Sequence, residues 1–306
     1  MLGKAWRLLK SAADGYMAHD SLTRGAAIAY YTVFSLAPVL VIVIAIAGLF
    51  FGQDAARGAI VHQIGGMMGD QGAEAIQSMI RGAFSRHSGY LATGLGIVTL
   101  IVTASGVFTE MQAALNAVWQ AKPKAGAVSQ IVRVRLLSLG LVMALGFLLL
   151  VSLVVSTALS AVGAWFAGIL PGWHILMRGV SLLVSLVLVA VLFGTIYKTL
   201  PDRHIAWTDV TVGAAATTVL FEIGKYLIGL YLGRSSTVSV FGGASTLAVV
   251  LLWIYYSSQI FLFGAEFTRA YAETNPLPAH GPSDAPTGHE ELDALKRELR
   301  PARSRN

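Results

Sequence analysis

An all-α, polytopic membrane fold is predicted for this chain by three observations. Six long apolar stretches lie between Val33 and Phe267, basic residues concentrate in alternate gaps between them, and charge is too scarce for a water-soluble domain. A stretch of about 20 apolar residues is long enough to cross a bilayer as a helix, where every backbone group must be satisfied inside the segment. Of the 306 residues, 55% are hydrophobic and 12% charged, whereas soluble domains carry roughly 25% charge. Mean hydropathy is +0.67. The 32 glycines suit helices that approach one another closely in lipid. There is no cysteine, which excludes disulfides and thiolate metal sites within this sequence.

Taken in order, residues 1–24 are expected to form a cytoplasmic amphipathic segment. Trp6, Leu8, Leu9, Tyr16 and Met17 supply its apolar side, with Trp6 at the headgroups beside Lys4, Arg7 and Lys10. The segment is not read as a signal peptide, because the apolar run that follows far exceeds the roughly 7–15 residues of an h-region. A six-span domain is expected over 25–270. Its first run, Gly25 to Phe51, is interrupted by Pro38, and a proline inside a helix removes a hydrogen bond and kinks it. A lead-in over Arg24–Leu36 and a span centred on Ala37–Leu49 follow from that.

The second span is placed at Tyr90–Phe108, the third near Leu136–Leu159 and the fourth near Val180–Tyr197, with Pro171-Gly172-Trp173 as the turn signal between the last two. The fifth is Val210–Leu232 and the sixth Ala244–Phe267. Between spans one and two lies the largest external segment, 52–89. Its apolar residues, Ile60, Val61, Ile64, Met67, Met68 and then Ile76, Met79, Ile80, Ala83, Phe84, recur at the helical period. Gly65-Gly66 and Gly69 are expected to break them into two short amphipathic helices at the external interface. Residues 271–306 turn to Pro, Gly, Ser and charge, and are expected to be a disordered cytoplasmic tail.

Orientation follows from the basic residues. Lys4, Arg7, Lys10 and Arg24, then Lys122, Lys124, Arg133 and Arg135, then Lys198 and Arg203, and finally Arg269, Lys296, Arg297, Arg300, Arg303 and Arg305 fall on one side. They make 16 of the 22 Lys and Arg. By the positive-inside rule both termini are cytoplasmic. The net charge of +6 is thus a topology signal, and no nucleic-acid partner is inferred from it.

Ionisable residues inside spans carry the functional argument, since each costs about 2.5–3.5 kcal/mol near the bilayer centre on insertion scales. Glu222 and Lys225 share one face of the fifth span at i, i+3 and can pair. Such a pair either locks the helix to a neighbour or lines a polar path, and the sequence leaves both open. Glu110 and Glu266 end the second and sixth spans, where they are either interfacial or at the inner mouth of a path. Asn116 and Trp119 follow Glu110, while Tyr30 and Tyr31 precede Pro38 and serve either as belt anchors or as a gate. The seven histidines are scattered, and no H-E-x-x-H, P-loop or G-x-S-x-G occurs. An enzyme is therefore not expected, nor a cofactor or a metal.

Several blocks of the sequence resemble the YihY/BrkB membrane-protein family, once labelled ribonuclease BN. They are Arg24-Gly25-Ala26-Ala27-Ile28-Ala29-Tyr30-Tyr31 with Ser35-Leu36-Ala37-Pro38, and Ala114-Leu115-Asn116-Ala117-Val118-Trp119. Leu200-Pro201, Gly213-Ala214, Phe221-Glu222-Ile223-Gly224-Lys225, Leu252-Trp253-Ile254-Tyr255 and Phe263-Gly264-Ala265-Glu266 continue the match in the family's order. One departure is Phe241-Gly242, where the family often has Tyr-Gly. The resemblance covers roughly residues 20–270 and implies a six-span protein of the bacterial inner, cytoplasmic membrane. It marks Arg24, Pro38, Trp119, Pro201, Trp253, Tyr255 and Gly264 as motif residues beside the polar candidates above.

The expected function is a transporter or exporter of a small solute or lipid-like molecule, with membrane lipid as surroundings. The alternative is a non-transporting scaffold or envelope-assembly factor, acting with an envelope partner or a second copy of itself. A ribonuclease would need an acid–base or metal cluster that the short inner loops do not supply. The topology is open to a direct check, because any introduced thiol is unique in a chain without cysteine. Lys122→Cys and Lys198→Cys should react with an impermeant maleimide from the same side of the membrane, and Arg86→Cys from the other. Labelling of 122 and 198 from opposite sides would refute the six-span path.

Overall fold

The computed structural model describes residues 2–85, 106–121, 173–234 and 245–275, and every regular element among them is helical. In order these are α1 (Leu2–Ala18), α2 (Ser21–Phe51), α3 (Gln53–Ser85), α4 (106–118), α5 (Trp173–Thr199), α6 (Trp207–Arg234) and α7 (Ser245–Thr274). Stretches of α5, α6 and α7 (Leu182–Thr199, Trp207–Tyr231 and Leu247–Thr274) are long and apolar enough to cross a membrane. They coincide with the expected fourth, fifth and sixth spans. The expected third span, most of the second and the tail beyond 275 lie outside the described residues. The chain divides into two compact units, Met1–Tyr271 and Ala272–Asn306, and the described part of the second is the end of α7 with Asn275.

α2 keeps the kink that Pro38 predicts. Ser21–Ala37 and Val39–Leu49 meet at 42°, and together they qualify as a fourth, bent span. Proline cannot donate a backbone hydrogen bond to the preceding turn, and its ring crowds the carbonyl four residues back. The helix ends at Gly52, whose φ of 85° suits a residue without a Cβ and whose N–H caps the Gly48 carbonyl at 3.0 Å. That corner leads directly into α3.

The expected break in 52–89 takes a different form. Helical conformation runs from Gln53 to Ser85 as one element, not as two helices separated by Gly65-Gly66 and Gly69. It is nonetheless folded back on itself. Residues eight apart in a straight helix stand about 12 Å apart along the axis, yet a Cβ on Gly65 would lie 3.2 Å from the Ala73 side chain. The described parts of the two apolar stripes therefore face the same neighbours. Ala75, Ile76 and Ile80 bury against Leu40 and Ile44 of α2 and Val250 and Ile254 of α7, with Ile60, Val61, Ile64 and Met79 packed around them.

α5, α6 and α7 cross through an aromatic core. Phe193 and Tyr197 of α5 meet Phe221 of α6 and Phe261 of α7 at centroid distances of 5.4 to 6.3 Å, and Trp253 stands edge-on to Phe221 at 6.2 Å. The fully buried Tyr197 hydroxyl donates to the Phe261 carbonyl at 2.7 Å and lies 3.1 Å from Thr217 Oγ1. Glycines make that approach possible. A Cβ on Gly264 would sit 2.6 Å from the Tyr197 hydroxyl, and one on Gly213 would sit 2.6 Å from Thr268 Cβ. Small residues at a crossing let polar side chains reach the facing helix, which is how helices associate in lipid without a hydrophobic drive.

Gly264→Ala should therefore cost about 1–3 kcal/mol by overpacking, read as a lower melting temperature in detergent. Gly229→Ala, on the same bundle but with nothing within 4 Å of the added methyl, should leave it unchanged. Equal melting of the two variants would mean that this crossing is not tightly packed.

Candidate functional site

Most of the long-range side-chain hydrogen bonds among the described residues lie at the end of the bundle where α2 begins and α4, α5 and α7 terminate. α4 ends in a Schellman arrangement. Gln120 adopts φ 49°, its N–H reaches the Ala117 carbonyl at 3.1 Å, and the Ala121 N–H reaches the Asn116 carbonyl at 2.8 Å. Two carbonyls at this terminus are then taken by arginines from elsewhere. Arg203, in the α5–α6 loop, donates to Trp119 O at 3.0 Å, and Arg269 of α7 donates to Val118 O at 2.9 Å. Cations at a helix C-terminus satisfy orphan acceptors and oppose the negative end of the dipole.

Arg269 continues into a buried pair. Its guanidinium stands 3.3 Å from His19 Nε2, while His19 Nδ1 lies 2.6 Å from Oε1 of Glu266, which is 2% exposed. A guanidinium only donates, so Nε2 acts as acceptor and the imidazole proton resides on Nδ1, facing the carboxylate. Gly15 admits this contact, because a Cβ there would fall 2.5 Å from Glu266 Oε2. α1 is held down by the same face of α7. Leu8 and Ala12 pack on Phe263, Phe267 and Ala270, and the Tyr16 hydroxyl donates to Gln259. Burial, with a smaller contribution from Tyr255, pushes the Tyr16 phenol up to about 12, so it stays a donor. Trp6, Leu9 and Met17 remain exposed. Thus only part of the apolar set read from 1–24 faces outward, with Leu8 and Tyr16 turned inward.

Asn116 makes a reciprocal clamp on the α5–α6 loop. Its Nδ2 donates to Asp202 Oδ2 and its Oδ1 accepts from the Asp202 N–H, both at 2.8 Å, while Gln112 adds a 3.2 Å bond. Pro201, immediately before Asp202, is buried. Glu110 lies 3.8 Å from Arg24, whose Nε donates to the His19 carbonyl. Beside these groups is a recess of about 520 Å³ along one face of α4, lined by Arg24, Gln112, Asn116 and Gln120 among smaller residues.

The other candidates stand elsewhere. Glu222 and Lys225 pair at 2.7 Å, with side chains 19% and 24% exposed respectively, and Glu222 Oε1 is buried without a hydrogen-bond partner among the described residues. Fifteen residues separate Trp207 from Glu222, which places the pair about 22 Å along α6 from the polar end. Tyr30 and Tyr31 are 58% and 38% exposed on α2, in contact with each other, and Tyr31 lies against Gly106 of α4. Trp119 and Trp253 have buried indole N–H groups without partners among the described residues. Gly264 belongs to the helix crossing described above.

The structure therefore joins Arg24, Glu110, Asn116, Trp119 and Glu266, and sets Glu222, Lys225, Tyr30 and Tyr31 apart from them. Sequence reasoning missed His19, Asp202, Gln112 and Gln259, and read Tyr16 only as part of an apolar face. Their partners lie 86 to 247 positions away, and no local spacing announces them.

His19→Ala should cost about 1–3 kcal/mol through loss of a hydrogen bond to a charged group. In a double-mutant cycle with Glu266→Ala, followed by melting in detergent, the two changes should couple by more than about 0.5 kcal/mol. Strict additivity would show that the 2.6 Å contact contributes nothing to stability.

Residues 12–287 match the family described as Virulence factor BrkB. Among curated relatives, a UPF0761 membrane protein of Ralstonia nicotianae is 30% identical over 90% of this chain and 61% of its own length. Another, from Rhodospirillum centenum, is 26% identical over 87% of the chain and 57% of its own length, and one from Nitrosospira multiformis is 28% identical over 82% and 57%. The chain thus spans about three fifths of the length of these relatives. No solved structure matches it. With apolar helices long enough to cross a bilayer and a family match over most of its length, the chain belongs to the BrkB family of membrane proteins.

Proposed function

We propose that this protein moves a small solute or lipid-like molecule across the bacterial inner membrane, and that it is not an enzyme. The observation that carries the reading is the Glu222–Lys225 pair, charged groups 2.7 Å apart within a membrane-crossing helix. One carboxylate oxygen is buried without a partner among the described residues, and neither side chain is sealed from its surroundings. A pair serving only as a lock gains most when each oxygen and proton is satisfied in a dry interface. An incompletely satisfied, partly open pair suits exchange with a passing ligand or ion, as at polar sites near the midplane of transporters.

Six spans with both termini cytoplasmic complete the proposal. The starts of α2 and α6 and the ends of α4, α5 and α7 share one end of the bundle through the bonds of His19, Arg24, Asn116, Arg203 and Arg269. That parity supports an odd number of crossings between α4 and α5. The basic residues at this end support its cytoplasmic assignment, and the recess beside Arg24 and Asn116 would then be the inner mouth.

Substitution distinguishes a working pair from a structural one. Glu222→Gln or Lys225→Met alone should destabilise by about 1–3 kcal/mol, because each leaves a partly buried charge without its partner. The double variant should recover its melting temperature yet stay inactive in complementing a deletion strain. A stable and fully active double variant would assign the pair to packing. In the chain's cysteine-free background, Glu222→Cys should also react with a small aqueous thiosulfonate; complete protection from both sides of a proteoliposome would count against a path.

A further inference from the structure

The two arms of α3 enclose a second cavity, about 810 Å³, which shares no residue with the polar end or with the Glu222–Lys225 pair. Asp54, Arg57, Val61 and Gly65 line it from one arm, and Ala73, Gln77, Ile80 and Arg81 from the other. Both sets recur at three- and four-residue intervals, so a continuous stripe of each arm faces the space. The cavity is a wedge. At its closed end a Cβ on Gly65 would lie 3.2 Å from Ala73, whereas one on Gly58 would meet nothing within 4 Å. Arg57 and Arg81 therefore stand at the wide end, on opposite arms. Among the described lining residues Asp54 is the one acid, beside Arg57, Arg81 and His62, so they carry net positive charge.

Its floor is apolar and continuous with the bundle. Ile80 is buried in the cluster that contains Ile44 and Val250, and those two residues belong to membrane-crossing stretches of α2 and α7. The cleft thus joins two environments, apolar side chains of the bundle at its base and the Arg57 and Arg81 side chains at its opening. Guanidinium forks match phosphate oxygens bidentately, and a ligand that satisfies both parts carries a phosphate on an apolar body. We propose that this cleft binds the phosphate group of an amphiphile, with the headgroup between Arg57 and Arg81 and the start of an acyl chain on Val61 and Ile80. The assignment does not rest on transport, since a non-transporting protein could hold such a molecule equally well. A free phosphate ion shares the headgroup chemistry but makes no use of the apolar floor.

The test uses the full chain in neutral detergent, with ligand binding counted by native mass spectrometry. Dioctanoyl phosphatidic acid should bind saturably. Arg81→Gln, at an exposed position, should weaken it by about tenfold or more, the equivalent of one charge-assisted hydrogen bond. Arg57→Lys, which keeps the charge but loses the fork, should weaken it less, and Asp54→Asn should tighten it. Lys4→Gln with Lys10→Gln, on α1, should change nothing. If dioctanoylglycerol binds as tightly, or if the Lys4/Lys10 variant loses as much as Arg81→Gln, the proposed phosphate site is overturned. If inorganic phosphate displaces the lipid at equal concentration, the lipid assignment is overturned.

Discussion

The end of α4 is the constraint on which the described architecture turns. A helix that terminates inside packed protein, as here at Val118 and Trp119, leaves carbonyl groups without intrahelical partners, and burying them unsatisfied costs free energy. Here the chain supplies the partners from other elements. Arg203 and Arg269 reach Trp119 and Val118, and Asn116 binds both the side chain and the N–H of Asp202. Because Arg269 also contacts His19, and His19 contacts Glu266, the same termination fixes the α1–α2 corner against α7. Helix ends distant in sequence are held in register by one requirement for hydrogen bonds.

A different kind of contact sets the rest of the bundle. Along α5, α6 and α7 the helices meet through glycine, threonine and stacked aromatics, with Tyr197 reaching the Phe261 carbonyl across the crossing. These contacts depend on shape, since lipid tails are as apolar as the side chains and provide no hydrophobic drive between helices. Polar bonds at one end and close packing along the length are complementary. The first fixes which ends come together, and the second fixes how closely the helices approach.

This division separates two roles among the ionisable residues. Glu266 and Asp202 sit in networks with several partners and behave as fasteners. Glu222 retains a buried oxygen without a partner among the described residues, although it pairs with Lys225. The distinction rests on satisfaction of hydrogen-bonding capacity rather than on burial, for Glu266 is the more buried of the two.

The sequence by itself determined what depends on neighbours along the chain. Apolar run length placed the membrane-crossing stretches of α5, α6 and α7, Pro38 announced the 42° bend, and i, i+3 spacing announced the Glu222–Lys225 pair. Each is a short-range consequence of helix geometry and of lipid as solvent. Only the tertiary structure decided that α3 folds back on itself, that Leu8 and Tyr16 turn toward α7, and that His19 meets Glu266 across 247 positions. Those outcomes depend on which helix faces come together. Such choices are made by side-chain volume and hydrogen-bond matching between distant segments, and a one-dimensional pattern carries no record of them.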